Sequence, residues 1–238
     1  MKTYVLHPDS VRELFNSVAP RYDLLNRLLS LRRDVYWRKR AVREIQDSEG
    51  SILDVATGTG DVAIEIIRQG EGRRRVVGLD FSELMIRKAH EKFVKRKLLS
   101  TIDVNLGDAL SLPFRDDTFH ASVIAFGLRN IPKKEQALSE IVRVTKKGGK
   151  VVILEFTFPE RGLVKRLYPS YFMNILPWVG GLISGDRGAY AYLPRSVVHF
   201  QSPEIYRDLA RGAGLENVTS TGLTFGIASI IAGTKKGQ

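Results

Sequence analysis

The sequence predicts an α/β protein: a doubly wound, mostly parallel seven-stranded sheet with helices on both faces, preceded by N-terminal helices and interrupted by an inserted lid. Three observations predict it. Short apolar runs alternate with segments of helical periodicity through the middle of the chain. The first of those runs breaks into a glycine loop, "LDVATGTGD", from Leu53 to Asp61. Aspartates stand at or beside the ends of the first three runs, at Asp54, Asp80 and Asp108. Alternation implies parallel strands covered by crossover helices. Right-handed crossovers bring the strand C-terminal ends to one edge, where ligands bind.

The elements follow in order. "SVRELFNSVA", "YDLLNRLLS" and "DVYWRKRAVREIQ" space apolar residues by three and four, so a helical cap is expected over residues 1–48. "SILDVA" is the first strand, and "DVAIEIIRQG" is a helix ending at Gly70. "RVVGLDF" is the second strand, and "SELMIRKAHEKFVKRK" is a helix with Ser82 as its N-cap. "IDVNLGDA" and "FHASVIAF" are the third and fourth strands. "KKEQALSEIVRVTK" is a helix closed by Gly148 and Gly149, and "KVVILEFTF" is the fifth strand. Residues 159–200 break the alternation with aromatics, Gly and Pro, and are too apolar for a disordered linker. They read as a lid over the sheet edge. "SPEIYRDLARGAG" is a capped helix, and "ENVTSTGLTF" and "GIASIIAGTK" close the sheet. Residues 1–238 thus form one domain.

Composition narrows the chemistry. There is no cysteine, which excludes disulfides, thiolate metal sites and a cysteine nucleophile, and fits a reducing compartment. "MKTYVLHPDS" lacks the sustained apolar core of a signal peptide, and no apolar run has the ~20 residues of a membrane span. A cytoplasmic protein is expected. The formal net charge is +11, which reads as a solvated basic surface, a nucleic-acid face or an anionic-membrane face.

The glycine loop discriminates between ligands. "GTGDVA" matches the dinucleotide fingerprint G-x-G-x-x-G/A. A pyrophosphate at the helix N-terminus would meet Asp61, and two like charges ~4 Å apart repel by about 4 kcal/mol at an effective dielectric of about 20. A cationic ligand reverses the sign. S-adenosylmethionine carries an adenosine, a sulfonium and an ammonium but no phosphate, and Asp54 and Asp61 would favour it where their side chains point inward. Gly58 and Gly60 shape the turn. Asp80 stands where an acid accepts from ribose hydroxyls. Asp108 could take the adenine amine, and the Ala109 N–H a ring nitrogen. Each aspartate alone reads more often as a turn or helix cap. The three together with the loop point to a methyl-donor site.

At these residues the chain resembles the class I S-adenosylmethionine-dependent methyltransferases, whose fold is Rossmann-like. More narrowly it resembles the UbiE-type C-methyltransferases of ubiquinone and menaquinone biosynthesis. The resemblance covers nearly the whole chain. It is carried by "FNSVAPRYDLLN" (15–26), "LDVATGTGD", "FGLRN" (126–130), "VTKKGGKVVILEF" (144–156), "AYAYLPRSVVHFQSPE" and "LTFGIASIIAGTK". It implies cofactor contacts at Thr59, Asp80, Asp108, Ala109 and Ala125, the last a Ser in many members. Asp34 and Val35 depart from the family's His-Arg, Val198 from its Arg, and Thr57 from its frequent Gly. The changes at Asp34, Val35 and Val198 lie in blocks assigned to the acceptor.

The reaction implied is transfer of a methyl to a ring carbon of a prenylated hydroquinone, such as demethylmenaquinol or a ubiquinone precursor. It is an in-line displacement that calls for no metal, and near-attack positioning supplies much of its rate. Arg129 is the candidate to stabilise the developing phenolate or hold a water that takes the proton; its alternative is an ion pair with a nearby acid. Tyr22 and Asp23 are candidates to orient the acceptor, and His199 is a candidate base. Tyr168, Tyr171, Phe172, Trp178, Tyr190 and Tyr192 could line a slot for a ring and prenyl tail, or form the lid's own core. The basic residues Arg32, Arg33, Arg38, Lys39, Arg40 and Arg43 could rest on anionic lipid, giving peripheral docking at the inner face of the membrane. A homo-oligomer is open. The rival functions are methylation of another small phenol or lipid, RNA methylation, and a scaffold that binds the donor without catalysis. RNA is disfavoured because the chain lacks an Asn-Pro-Pro-aromatic run after the fourth strand and any recognisable nucleic-acid module.

Overall fold

Strands β1 (Gly50–Val55), β2 (Arg74–Asp80), β3 (Ile102–Leu106), β4 (Phe119–Ala125), β5 (Thr145–Phe156), β6 (Leu215–Leu223) and β7 (Ala228–Lys235) hydrogen-bond into one sheet of order β3-β2-β1-β4-β5-β7-β6. The structure is a computed structural model and describes residues 16, 19–157 and 201–237. β1 to β5 are parallel, and β7 runs antiparallel to both its neighbours. The turn Thr224–Gly226 explains the reversal: so short a link between β6 and β7 can close a hairpin but not a parallel crossover.

Among the described residues six α-helices pack around the sheet: α1 (Tyr22–Leu29), α2 (Arg33–Arg43), α3 (Asp61–Gly70), α4 (Glu83–Arg96), α5 (Lys134–Val144) and α6 (Pro203–Gly212). Each strand presents alternate residues to opposite faces, so β1 sends Ile52 to one core and Leu53 and Val55 to the other. The first core holds Ile66 of α3, Phe93 of α4 and Trp37 and Val42 of α2. The second holds Leu138 and Ile141 of α5 and Tyr206 of α6. Both faces are covered, which is why the central strands read as unbroken apolar runs.

Ser82 caps α4 as the sequence suggests, its hydroxyl accepting the Met85 N–H at 3.3 Å. The end of α5 differs from expectation. The helix stops at Val144, and Gly148 and Gly149 lie inside β5, where the register with β4 shifts. Thr145 ends the helix instead: it turns extended while its hydroxyl donates to the Ile141 carbonyl at 2.6 Å. Of the N-terminal cap, α1 and α2 are described. The lid at 159–200, with its aromatics, Val198 and His199, lies outside the described residues.

Candidate active site at the carboxyl edge of the sheet

The strand order reverses between β1 and β4, and the crevice above that point is the expected ligand position. A cavity of about 360 Å³ opens there. Its walls come from the ends of four parallel strands: Ala56 and Gly58 after β1, Asp80 and Phe81 at β2, Leu106 to Leu110 after β3, and Ala125 to Gly127 after β4. Tyr22 of α1 contributes from the cap. Among the described lining residues there are two carboxylates, Asp80 and Asp108, and no Lys or Arg.

Asp80 is nearly fully buried and organises the loop. One oxygen accepts the Gly58 N–H at 2.8 Å and the other the Ser82 N–H at 2.9 Å. Burial raises its carboxyl to about 6, against the pull of those N–H groups. The Phe81 N–H also bonds this carboxylate, which offers about four acceptor positions, so about one remains for the ligand's hydroxyls. Asp108 is exposed, and accepts the Leu110 N–H at 2.9 Å.

The remaining sequence candidates divide around this cavity. Gly58, Asp80, Asp108, Ala109, Ala125 and Tyr22 line it; Asp54, Thr59, Gly60, Asp23 and Arg129 do not. Asp54 is buried behind the loop and accepts the Thr57 hydroxyl at 2.6 Å, the residue that departs from the family's glycine. Burial raises its carboxyl to about 7. Asp61 also turns elsewhere, to Lys92 at 2.8 Å and Arg27 at 3.0 Å, so its charge is compensated within the protein. Those cations hold its carboxyl below the usual range despite burial. Gly60 is required by the fold: its φ is +81°, and a Cβ there would lie 2.3 Å from the Phe93 ring. Arg129 is in an ion pair, its guanidinium 2.6 Å from the fully buried Glu155 carboxylate and 2.5 Å from the Phe126 carbonyl.

At two lining residues nothing in the sequence signals the backbone conformation. Ala56 and Phe126 follow β1 and β4 with left-handed φ of 53° and 57°. Non-glycine residues held there cost on the order of 1 kcal/mol or more, and such strain gathers at functional sites. The surroundings enforce it. Phe126 packs against Phe156 and Trp37, with ring centroids 4.6 and 6.1 Å away, and Arg38 lies over it at 5.7 Å. Gly127 lets the two turns meet, since a Cβ there would lie 2.6 Å from Ala56 Cβ. Tyr22, near the Arg129 and Arg38 charges, has its hydroxyl raised above its ordinary range by burial, so it stays a proton donor at neutral pH. Asp34, assigned to the acceptor side, is instead buried in a 2.5 Å pair with Arg38, which leaves Arg38 buried rather than on the basic face.

A reversed α/β sheet with a glycine loop, an acid at the end of β2, a cavity at the switch point and an antiparallel β7 is the Rossmann-like methyltransferase fold. Solved structures agree: the chain is similar to a SAM-dependent methyltransferase from Aquifex aeolicus, with TM-score 0.61 and 20% identity over 82% of this chain and 88% of that one. It is also similar to the cyclase SpnF, with TM-score 0.67 and 18% identity over 96% of each chain, so the fold alone does not fix the reaction. The chain belongs to the ubiE/COQ5 methyltransferase family, whose model matches residues 3–235. Among its relatives, the ubiquinone/menaquinone biosynthesis C-methyltransferase UbiE of Geobacter sulfurreducens is 46% identical over 95% of this chain and 89% of its own. The demethylmenaquinone methyltransferase of Thermus thermophilus is 45% identical over 93% of this chain and 100% of its own.

Proposed function

We propose that the protein methylates a ring carbon of a prenylated hydroquinone, with S-adenosylmethionine as donor. The observation that carries the donor is the lining itself: two aspartates, apolar walls and no basic residue among the described positions. A phosphate-bearing cofactor would meet uncompensated carboxylates there. An adenosine fits: Asp80 accepts from a ribose hydroxyl, Asp108 and the Ala109 N–H address the base, and Met85, Leu106 and Leu110 supply apolar contact. Gly58, Ala125 and Phe126 flank the methionine end. The donor supplies an electrophilic methyl. The acceptor carbon becomes nucleophilic as its neighbouring hydroxyl gives its proton to water; the C–C bond forms as the S–C bond breaks, S-adenosylhomocysteine leaves, and the ring C–H proton passes to water. Tyr22, protonated at neutral pH, donates a hydrogen bond to the developing phenolate oxygen. Arg129 supports that charge from behind the wall formed by Phe126. The relatives' names support the acceptor class.

S-adenosylhomocysteine should bind the purified protein while NAD does not, and labelled methyl should enter a reduced demethylated quinone. NAD binding without S-adenosylhomocysteine binding would overturn the donor. Donor binding with no turnover on any reduced quinone would move the acceptor to another phenol or lipid.

The cap supports docking on anionic lipid. Leu24 and Leu28 of α1, Leu31 of the turn and Val35 and Tyr36 of α2 are all exposed, Leu31 to 79%. Arg21, Arg32, Arg33, Lys39 and Arg43 are exposed around them. Apolar side chains entering the headgroup region beside basic ones form an interfacial anchor, each basic residue adding about 1 kcal/mol. No helix among the described residues is long and apolar enough to cross a membrane. Leu28→Glu with Leu31→Glu should weaken co-sedimentation with phosphatidylglycerol vesicles on the order of tenfold and leave donor affinity unchanged. Equal sedimentation of the variant would reject this face.

A further inference from the structure

We propose that Lys92 is a positioning residue: it clasps the N-terminal cap to the glycine loop and so sets Tyr22 over the donor cavity. The inference rests on the donor reading above and concerns residues that do not line the cavity. Lys92 projects from α4 with its ammonium largely buried. Its three N–H donors meet three acceptors from three other places. Asp23 Oδ2 of α1 lies at 2.6 Å, Asp61 Oδ1 at the start of α3 at 2.8 Å, and Thr59 Oγ1 of the loop at 3.1 Å. The Thr59 hydroxyl in turn donates to the other Asp23 oxygen at 2.5 Å. Arg27 of α1 reaches Asp61 at 3.0 Å, and Arg38 of α2, paired with Asp34, lies 3.8 Å from it. Three carboxylates and three cations thus balance in one partly buried cluster.

The placement gives the cluster its consequence. Asp23 follows Tyr22, which lines the cavity, and Thr59 follows Gly58, which also lines it. Holding Asp23 on Thr59 therefore couples the cap to the loop next to one cavity-lining residue of each. A ligand that orders the loop strengthens the clasp, and a closed clasp strengthens ligand binding by the same factor. Lys92 is the specific handle. Asp61 keeps Arg27 and Arg38 without it, whereas among the ion pairs of the described residues Asp23 has only Lys92 as cation. Loss of Lys92 leaves α1 tied to the loop by the Thr59 hydroxyl and by Arg27.

Calorimetry with S-adenosylhomocysteine and hydrogen exchange of the full chain test the clasp. Lys92→Met should weaken binding about tenfold, within the usual range of coupling between sites. Exchange of α1 amides in the complex should approach that of the free protein, while β1, β2 and β4 stay protected. Lys92→Arg should recover most of the loss, since the charge and several donors return. Wild-type affinity together with wild-type protection of α1 in Lys92→Met would overturn the proposal. Should Lys92→Met fail to fold, Asp23→Asn, which leaves the Lys92–Asp61 pair in place, is held to the same two readouts. If the wild type itself does not bind S-adenosylhomocysteine, the donor reading fails; the clasp then stands or falls on whether Lys92→Met speeds α1 exchange in the free protein.

Discussion

Asp80→Ala should lower donor affinity roughly a hundred-fold, the largest loss expected from any single cavity residue. A hydrogen bond to an ionised partner is worth about 1.5 to 3 kcal/mol, roughly a hundred-fold at the upper end, and the ribose would lose the one it makes here. The Gly58 and Ser82 N–H groups would lose their acceptors as well, which loosens the loop the donor rests on. The fold should survive. Burial lifts this carboxyl from its ordinary 3.8 to about 6, so its ionised form is unfavourable to the free protein at neutral pH, and removing it offsets part of the lost bonding. Asp80→Asn, which keeps one acceptor oxygen, should fall between. The same shift sets a pH dependence. Between about pH 4 and pH 6 the unfolded chain is ionised at this position while the folded one holds its proton. Stability of the free protein from this group is therefore greatest below that window and is lost as pH rises through it. Donor binding favours the ionised form and moves oppositely. The thermal shift given by S-adenosylhomocysteine should grow as pH rises through about 6 and lose that growth in Asp80→Ala. An unchanged dissociation constant in the Ala variant would reduce Asp80 to a brace for the loop.

Much of this architecture was legible because parallel strands buried on both faces leave apolar runs, and helices leave a period of three to four. Loops were legible only where a residue type declares its conformation. Gly58 and Gly60 announce a left-handed turn, whereas Ala56 and Phe126 adopt the same φ with no signal in their identity. Phe126 sits in a ring cluster with Trp37 and Phe156, assembled from residues far apart in sequence, and Ala56 packs against Gly127. Charges were the least legible. Asp61 was expected to face the ligand, and Asp23 to meet the acceptor. Both are instead neutralised by Lys92, which a helical pattern places on an ordinary polar face. A carboxylate's position in the chain does not reveal which cation reaches it first. Arg38 shows the converse: a residue in a basic run turns inward because Asp34 and Asp61 wait there.

Arg129→Ala should cost about 3 to 5 kcal/mol of stability, the usual consequence of leaving a buried charge without its partner. Glu155 has no side-chain exposure, and its guanidinium partner lies at 2.6 Å. Without Arg129 the carboxylate keeps, among the described residues, the N–H groups of residue 129, at 3.0 Å, and Phe156, at 2.9 Å. The Phe126 carbonyl also loses a donor, just where the chain holds its left-handed turn. For a chain of this length each kcal/mol moves the melting point by roughly 2 to 4 °C, so a fall of about 10 °C is expected. This loss would masquerade as lost catalysis in an activity assay of the single variant. The double variant Arg129→Met, Glu155→Leu separates the two, because exchanging a whole buried pair for apolar residues is often neutral or stabilising. Its melting point should return most of the way to that of the wild type. Its turnover on a reduced demethylated quinone should stay low by on the order of tenfold. That is less than the hundred-fold or more expected for a donor in direct contact, because the charge lies behind Phe126 and acts on the phenolate through Tyr22. Full turnover in the stable double variant would make Arg129 wholly structural and leave Tyr22 to carry the chemistry. A loss of a hundred-fold or more, at wild-type stability and donor affinity, would instead bring the guanidinium into contact with the acceptor and require it to leave Glu155 during the reaction.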